Sequence, residues 1–108
     1  MVNIFKVVFT SKARRNLRDV SDYYKKTASP KVADNVREEL IDSAKKLKTF
    51  PHRKPILPGT EDMDPPVRYT KKWSFKILFR IFSTKKQVQV LGIRHDKELP
   101  EKTVKSVK

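Results

Sequence analysis

Apolar and polar residues alternate along this chain with two different periods. From Val2 to Phe9, β-branched and aromatic residues are interrupted only by Asn3 and Lys6, which predicts a short, largely buried strand. The period then lengthens. Ala13, Leu17, Val20 and Tyr24 recur every three or four residues, forming one stripe of a helix that Thr10 or Ser11 can cap. Ser29-Pro30 restarts the pattern, with a capping hydroxyl followed by proline at the first helical position, where its missing N–H costs nothing. The second stripe reads Ala33, Val36, Leu40, Ala44 and Leu47, and Pro51 stops it. So short a connection between two amphipathic helices predicts an antiparallel hairpin.

Five prolines and Gly59 between Pro51 and Pro66 mark a loop. Three strands are expected after it, around Val67–Lys71, Ser74–Phe82 and Gln87–Arg94, with turns at Lys71-Lys72 and Thr84-Lys85-Lys86. In the middle strand Phe75, Ile77, Phe79 and Ile81 alternate with Lys76, Leu78, Arg80 and Phe82. One face is wholly apolar; the other mixes two cations with two apolar residues. The expected fold class is α+β in two layers: an N-terminal strand, the helical hairpin, then a three-stranded antiparallel meander completing a single twisted sheet. The hairpin should cover the apolar face and leave the Lys76/Arg80 face open. Residues 1–98 read as one domain and residues 99–108 as a lysine-rich tail, either a frayed helix or disordered.

Charge changes the picture most. The formal net charge is +14, and from Pro65 to His95 there are eight cationic side chains and no carboxylate. A surface of one sign creates a strong positive field and suits a polyanion, with nucleic acid the favoured partner. There is no cysteine, which excludes disulfides and thiolate sites and fits a reducing compartment. The N-terminus lacks the marks of a signal peptide and no apolar run is long enough to span a bilayer, so a cytoplasmic protein without membrane contact is expected.

Few chemistries fit these residues. His52 and His95 are the only histidines, without metal-ligand spacing around either, so no metal is expected. With two glycines there is no phosphate-binding glycine loop, and no serine-nucleophile motif occurs; neither a cofactor nor a small-molecule substrate is expected. RNA, however, carries its own nucleophile in the 2′-hydroxyl. Cleaving it without metal requires a base, an acid and cations that stabilise the extra negative charge on phosphorus. Histidine can move the proton and arginine can hold phosphate through two N–H groups. Arg68, Arg80, Arg94 and His95 lie on strands or strand ends expected to be neighbours, and Lys46, Lys48, Arg53 and Lys54, at the end of the second helix and in the following loop, could reach the same groove. Trp73 reads first as a core or sheet-edge residue and second as a ring that stacks on a base.

The order of these pieces resembles a known superfamily. The strand ending in Thr10, the hairpin from Ser29-Pro30-Lys31-Val32-Ala33 to Leu47-Lys48-Thr49-Phe50-Pro51, Arg68, Phe75-Lys76-Ile77-Leu78-Phe79-Arg80 and the closing Val90-Leu91-Gly92-Ile93-Arg94-His95 look like the RelE/ParE toxins of type II toxin–antitoxin (plasmid stabilisation) modules. The likeness covers roughly residues 3–98. It implies a basic toxin neutralised by an antitoxin, here expected to be acidic. RelE-like members cut messenger RNA on the ribosome, whereas ParE-like members poison DNA gyrase without being nucleases. By resemblance Arg68 matches a phosphate-stabilising position and His95 an acid/base position; Lys46 and Lys48 lie near RNA-contacting positions. Lys76, Arg80 and Arg94 would line the same groove. Several RNase members carry a tyrosine or arginine after the closing histidine, but here Asp96-Lys97-Glu98 follows. The long hairpin with Ser29-Pro30 leans towards ParE. The leading expectation is a ribosome-dependent mRNA interferase, an endoribonuclease using Arg68 and His95; the alternatives are a gyrase poison and a plain nucleic-acid-binding module.

Overall fold

The structure, a computed structural model, describes residues 4–108. Strand β1 (Lys6–Phe9) leads into α1 (Ser11–Thr27) and α2 (Pro30–Lys45); β2 (Val67–Lys72), β3 (Phe75–Phe82) and β4 (Gln87–His95) follow, then a short helix α3 (Pro100–Lys105). Of the strand expected from Val2, residues 2 and 3 lie outside the described part, and Ile4 makes an isolated bridge to Thr49. Both helix starts form as their sequences dictate. Thr10 Oγ1 accepts from the Ala13 amide at 3.1 Å and Ser29 Oγ from the Val32 amide at 3.1 Å, each satisfying an amide that the helix itself cannot. The second helix ends at Lys45 rather than running to Leu47, tightening into a 3-10 turn over Lys46–Lys48.

The sheet runs β1-β4-β3-β2, with the last three strands antiparallel as expected and β1 parallel to β4. The fold is therefore α+β with a single mixed sheet. On one face Phe75, Ile77, Val90 and Ile93 pack with Ala13, Leu17, Leu40 and Ala44 of the hairpin, while Phe79, Ile81 and Val88 pack with Phe5 and Leu47.

The other face departs from expectation. It is not left open: Leu57 and Met63 of the long loop and Val104 and Val107 from the C-terminal end pack over Val67, Leu78, Tyr69 and Leu91. Leu78 and Val67 are fully buried beneath them. The cause is visible in the alternation, since a face carrying Leu78 beside two cations still has apolar area to withdraw from water. Residues 100–105 are helical, so of the two expectations for the tail, a frayed helix or disorder, the helix forms.

Pairing of β3 with β4 slips by one residue. Leu78 faces Gly92 but Phe79 faces Val90, leaving Leu91 as the extra residue of a β-bulge. Beyond it, Arg94 stands opposite Lys76 and His95 opposite Phe75. Directly paired residues share a face, so His95 leaves the sheet on the helix-bearing side.

Candidate functional site

Several hollows flank the hairpin, and the residues singled out by sequence are divided among them and the opposite face. The first hollow lies where α2 ends and β2 passes, with a volume of about 440 Å³. Lys46, Arg53, Lys54, Lys71 and Lys72 line it together with Thr49, Thr70 and Phe50, and no carboxylate does. Lys72 is paired with Glu39 at 3.3 Å and Lys71 with Asp96 at 3.3 Å. Lys46, Arg53 and Lys54 have no such partner among the described residues. Phe50 sits at φ +52°, half exposed, with the Arg53 guanidinium 4.2 Å from its ring centroid. Lys48 faces a neighbouring hollow of mixed charge that it shares with Glu39, Asp42, Lys45 and Lys46.

Arg68 lies beside this basic hollow but is already engaged. One of its guanidinium nitrogens donates to the carbonyls of His52 at 3.2 Å and Lys54 at 2.7 Å, so it braces the loop that follows α2. His95 is elsewhere. Its ring meets Phe75 edge to face at 5.7 Å, and its Nδ1 accepts from the Lys97 amide at 3.1 Å, an arrangement that puts the proton of the neutral ring on Nε2. It lines a second hollow of about 430 Å³ with Asn16, Asp19, Tyr23 and Tyr24 of α1.

The three remaining cations are held within the chain. Lys76 approaches Asp96 at 3.7 Å, Arg80 Nε donates to the Pro65 carbonyl at 2.9 Å, and Arg94 forms a two-bonded pair with Glu98. Asp96 and Glu98 directly follow the acid-free stretch and fold back onto it. The surface there is therefore less one-signed than the strand sequence alone implies. Hydrogen bonding from Arg94 holds the Glu98 carboxyl below its usual range, outweighing the desolvation that would raise it, with the Thr103 hydroxyl adding a second favourable bond.

Sequence reasoning left Trp73 open between core and sheet edge, and it missed Tyr23. Trp73 is half exposed at φ +53° in the β2–β3 turn with Lys72 over its ring at 4.9 Å, and not a core residue. Tyr23, placed just off the predicted stripe of α1, is 60% exposed and walls the second hollow. Its signal was there: Asn16, Asp19 and Tyr23 share a helical face that borders the apolar stripe at Val20. No three His, Cys, Asp or Glu side chains gather as a metal site among the described residues, and no helix among them is long and apolar enough to cross a membrane.

Comparison with known proteins bears on these features. Over residues 7–100 the chain matches the family described as the ParE toxin of the type II toxin–antitoxin system parDE. No curated protein matches it in sequence. Among solved structures it is similar to a chain of the chromosomal ParDE toxin–antitoxin system from P. aeruginosa, at 23% identity and a TM-score of 0.70, covering 86% of this chain and 97% of that one. It is also similar to a chain of the RelBE2 toxin–antitoxin complex from Mycobacterium tuberculosis, at 20% identity and a TM-score of 0.56, covering 88% and 94% respectively. At such identities the two structures speak for the fold, and the family match spans most of the sequence. The chain belongs to the ParE toxin family of type II toxin–antitoxin systems, within the RelE/ParE superfamily.

Proposed function

We propose that this toxin acts on DNA gyrase without nuclease chemistry, in the cytoplasm, and that an acidic antitoxin restrains it. The observation that carries this reading is the separation of Arg68 from His95. Metal-free RNA cleavage needs the proton-transfer group and the phosphate-stabilising group around one phosphodiester, each within about 3 Å of a reacting atom. Arg68 braces the His52–Lys54 loop, and His95 opens into a different hollow lined by α1. Lys76 and Arg94, expected to line an RNA groove, are neutralised by Asp96 and Glu98.

Further support comes from the basic hollow. Lys46, Arg53 and Lys54, with the ring of Phe50, offer unneutralised charge at a concave surface, suited to an acidic protein surface or to the phosphates of gyrase-bound DNA. An antitoxin partner fits the same field, and the two similar structures described above come from toxin–antitoxin systems. A poison of this kind needs no metal, cofactor or small-molecule substrate.

The test is a pair of assays on the purified full chain. Supercoiling of relaxed plasmid by gyrase should stop, and linear plasmid should accumulate, while messenger RNA in a translating extract stays intact. Arg53→Glu with Lys54→Glu should abolish the gyrase effect. Cleavage of message on the ribosome, lost in Arg68→Ala and His95→Ala and accompanied by normal supercoiling, would overturn the proposal in favour of the RNase reading.

A further inference from the structure

Where β1 ends, the edge of β4 passes to helix α1, and Asn16 Oδ1 accepts from the Ile93 amide at 3.0 Å. The hollow of about 430 Å³ opens beside that bond. Asp19, Tyr23 and Tyr24 form its helical wall, Phe75 and His95 its sheet wall. The Tyr23 and Tyr24 rings meet edge to face at 5.2 Å, as Phe75 and His95 do at 5.7 Å. Four rings thus border one hollow over an apolar floor of Val20 and Ile93.

Its charge is unlike that of the surrounding molecule. Arg94 lines the rim but is neutralised by Glu98. Asp19 has no ion-pair partner among the described residues, and it lies one helical turn before Tyr23 on the same face. The faces of tyrosine and phenylalanine rings present negative charge, so Tyr23, Tyr24 and Phe75 beside an unpaired carboxylate make a cation site. A planar guanidinium suits it better than an ammonium, because it stacks on a ring and delivers parallel N–H groups to a carboxylate.

We propose that this hollow receives the side chain of a single arginine carried by an otherwise acidic partner segment. The acidic character of that partner rests on the antitoxin reading above. On a chain of net charge +14 an acidic segment is attracted almost everywhere and so has no preferred register. A cation is repelled almost everywhere, and a place that accepts one fixes where the segment lies. The arginine supplies position; the acidic residues supply attraction.

The experiment is an NMR titration of the isotope-labelled full chain with N-acetyl-arginine amide, using N-acetyl-citrulline amide as an uncharged control of the same shape. Saturable shifts confined to Asp19, Tyr23, Tyr24, Phe75 and His95 are expected with the arginine probe. The citrulline probe should bind at least about tenfold more weakly, as lost charge forfeits both attractions. Asp19→Asn and Tyr23→Ala, both at exposed positions, should each weaken arginine binding while the remaining spectrum keeps its dispersion. Equal affinity for the two probes, shifts spread over the surface, or unaltered binding in both variants would overturn the proposal. No gyrase or nucleic acid enters this titration, so its failure and that of the proposed function register separately.

Discussion

Arg68 and His95 stand on the same face of the sheet, yet Arg68 pairs with Phe79 and His95 with Phe75, two strands apart across β3. At roughly 3.4 Å per residue and 4.8 Å per strand, their Cα atoms are about 17 Å apart. Buried Ile77 and Leu40 of the hairpin core occupy the same face, and Arg68 reaches away from His95 to the His52 and Lys54 carbonyls.

Arg68 should therefore matter more for stability than for chemistry. Arg68→Ala removes two hydrogen bonds to the loop and is expected to lower the unfolding free energy by about 1–2 kcal/mol. Arg68→Lys should recover only part, because an ammonium on a flexible stem does not reproduce the planar fork. Urea denaturation reads this as a lower unfolding midpoint.

Glu98 should make stability depend on acidity. Its carboxyl is held below the usual 4.5 by hydrogen bonding from Arg94, and the ordinary value returns on unfolding. The unfolded state then binds the proton more readily, so this contribution is complete above the unfolded value and is lost as pH falls through the lowered folded one. Thermal unfolding followed downward from about pH 6 should show wild type losing stability more steeply than Glu98→Gln below about pH 4.5, with parallel behaviour above it.

The C-terminal helix should be required to cover the sheet. Gly59 adopts φ +93°, and a Cβ there would lie 3.0 Å from Val104 Cγ2. Gly59→Ala is expected to cost about 1–2 kcal/mol from backbone conformation alone, and to push Val104 outward. Truncation after Leu99 should expose the face around Leu78 and Val67, read as increased binding of a hydrophobic dye and a lower unfolding midpoint.

Trp73 is the sole tryptophan and reports directly on its turn. Half exposed beneath Lys72, it should emit as a solvated indole and be quenched more strongly by iodide than by caesium. Trp73→Gly exchanges left-handed strain for chain entropy, so stability should hold or rise by up to about 1 kcal/mol in denaturation. A large loss would mean that the ring packs more than its exposure indicates.

The elements of this fold were legible because their causes are local. The stripes Ala13-Leu17-Val20-Tyr24 and Ala33-Val36-Leu40-Ala44, the caps Thr10 and Ser29, and the alternation through Phe75–Phe82 all act within a few residues, and each formed where its spacing placed it. Their order then dictated the hairpin-on-sheet arrangement.

The candidate site was not legible in the same way. Had the alternation of Val88 and Val90 run on unbroken, Arg94 would face the helices and His95 the opposite side; the extra residue Leu91 exchanges them. Whether a strand takes such a residue depends on its partner strand and on what meets its edge, here Asn16 of α1 bonding to Ile93. Likewise Asp96 neutralises Lys71 and Lys76, which lie far back in the chain and come within reach only across the assembled sheet. Sequence alone determined the two long helices and the three strands after the loop to within a few residues, and that the chain is strongly basic, because periodicity, capping and charge reside in neighbouring residues. Tertiary structure decided which cations remain unpaired and which face His95 occupies, because ion pairing and strand register are set between residues distant in the chain.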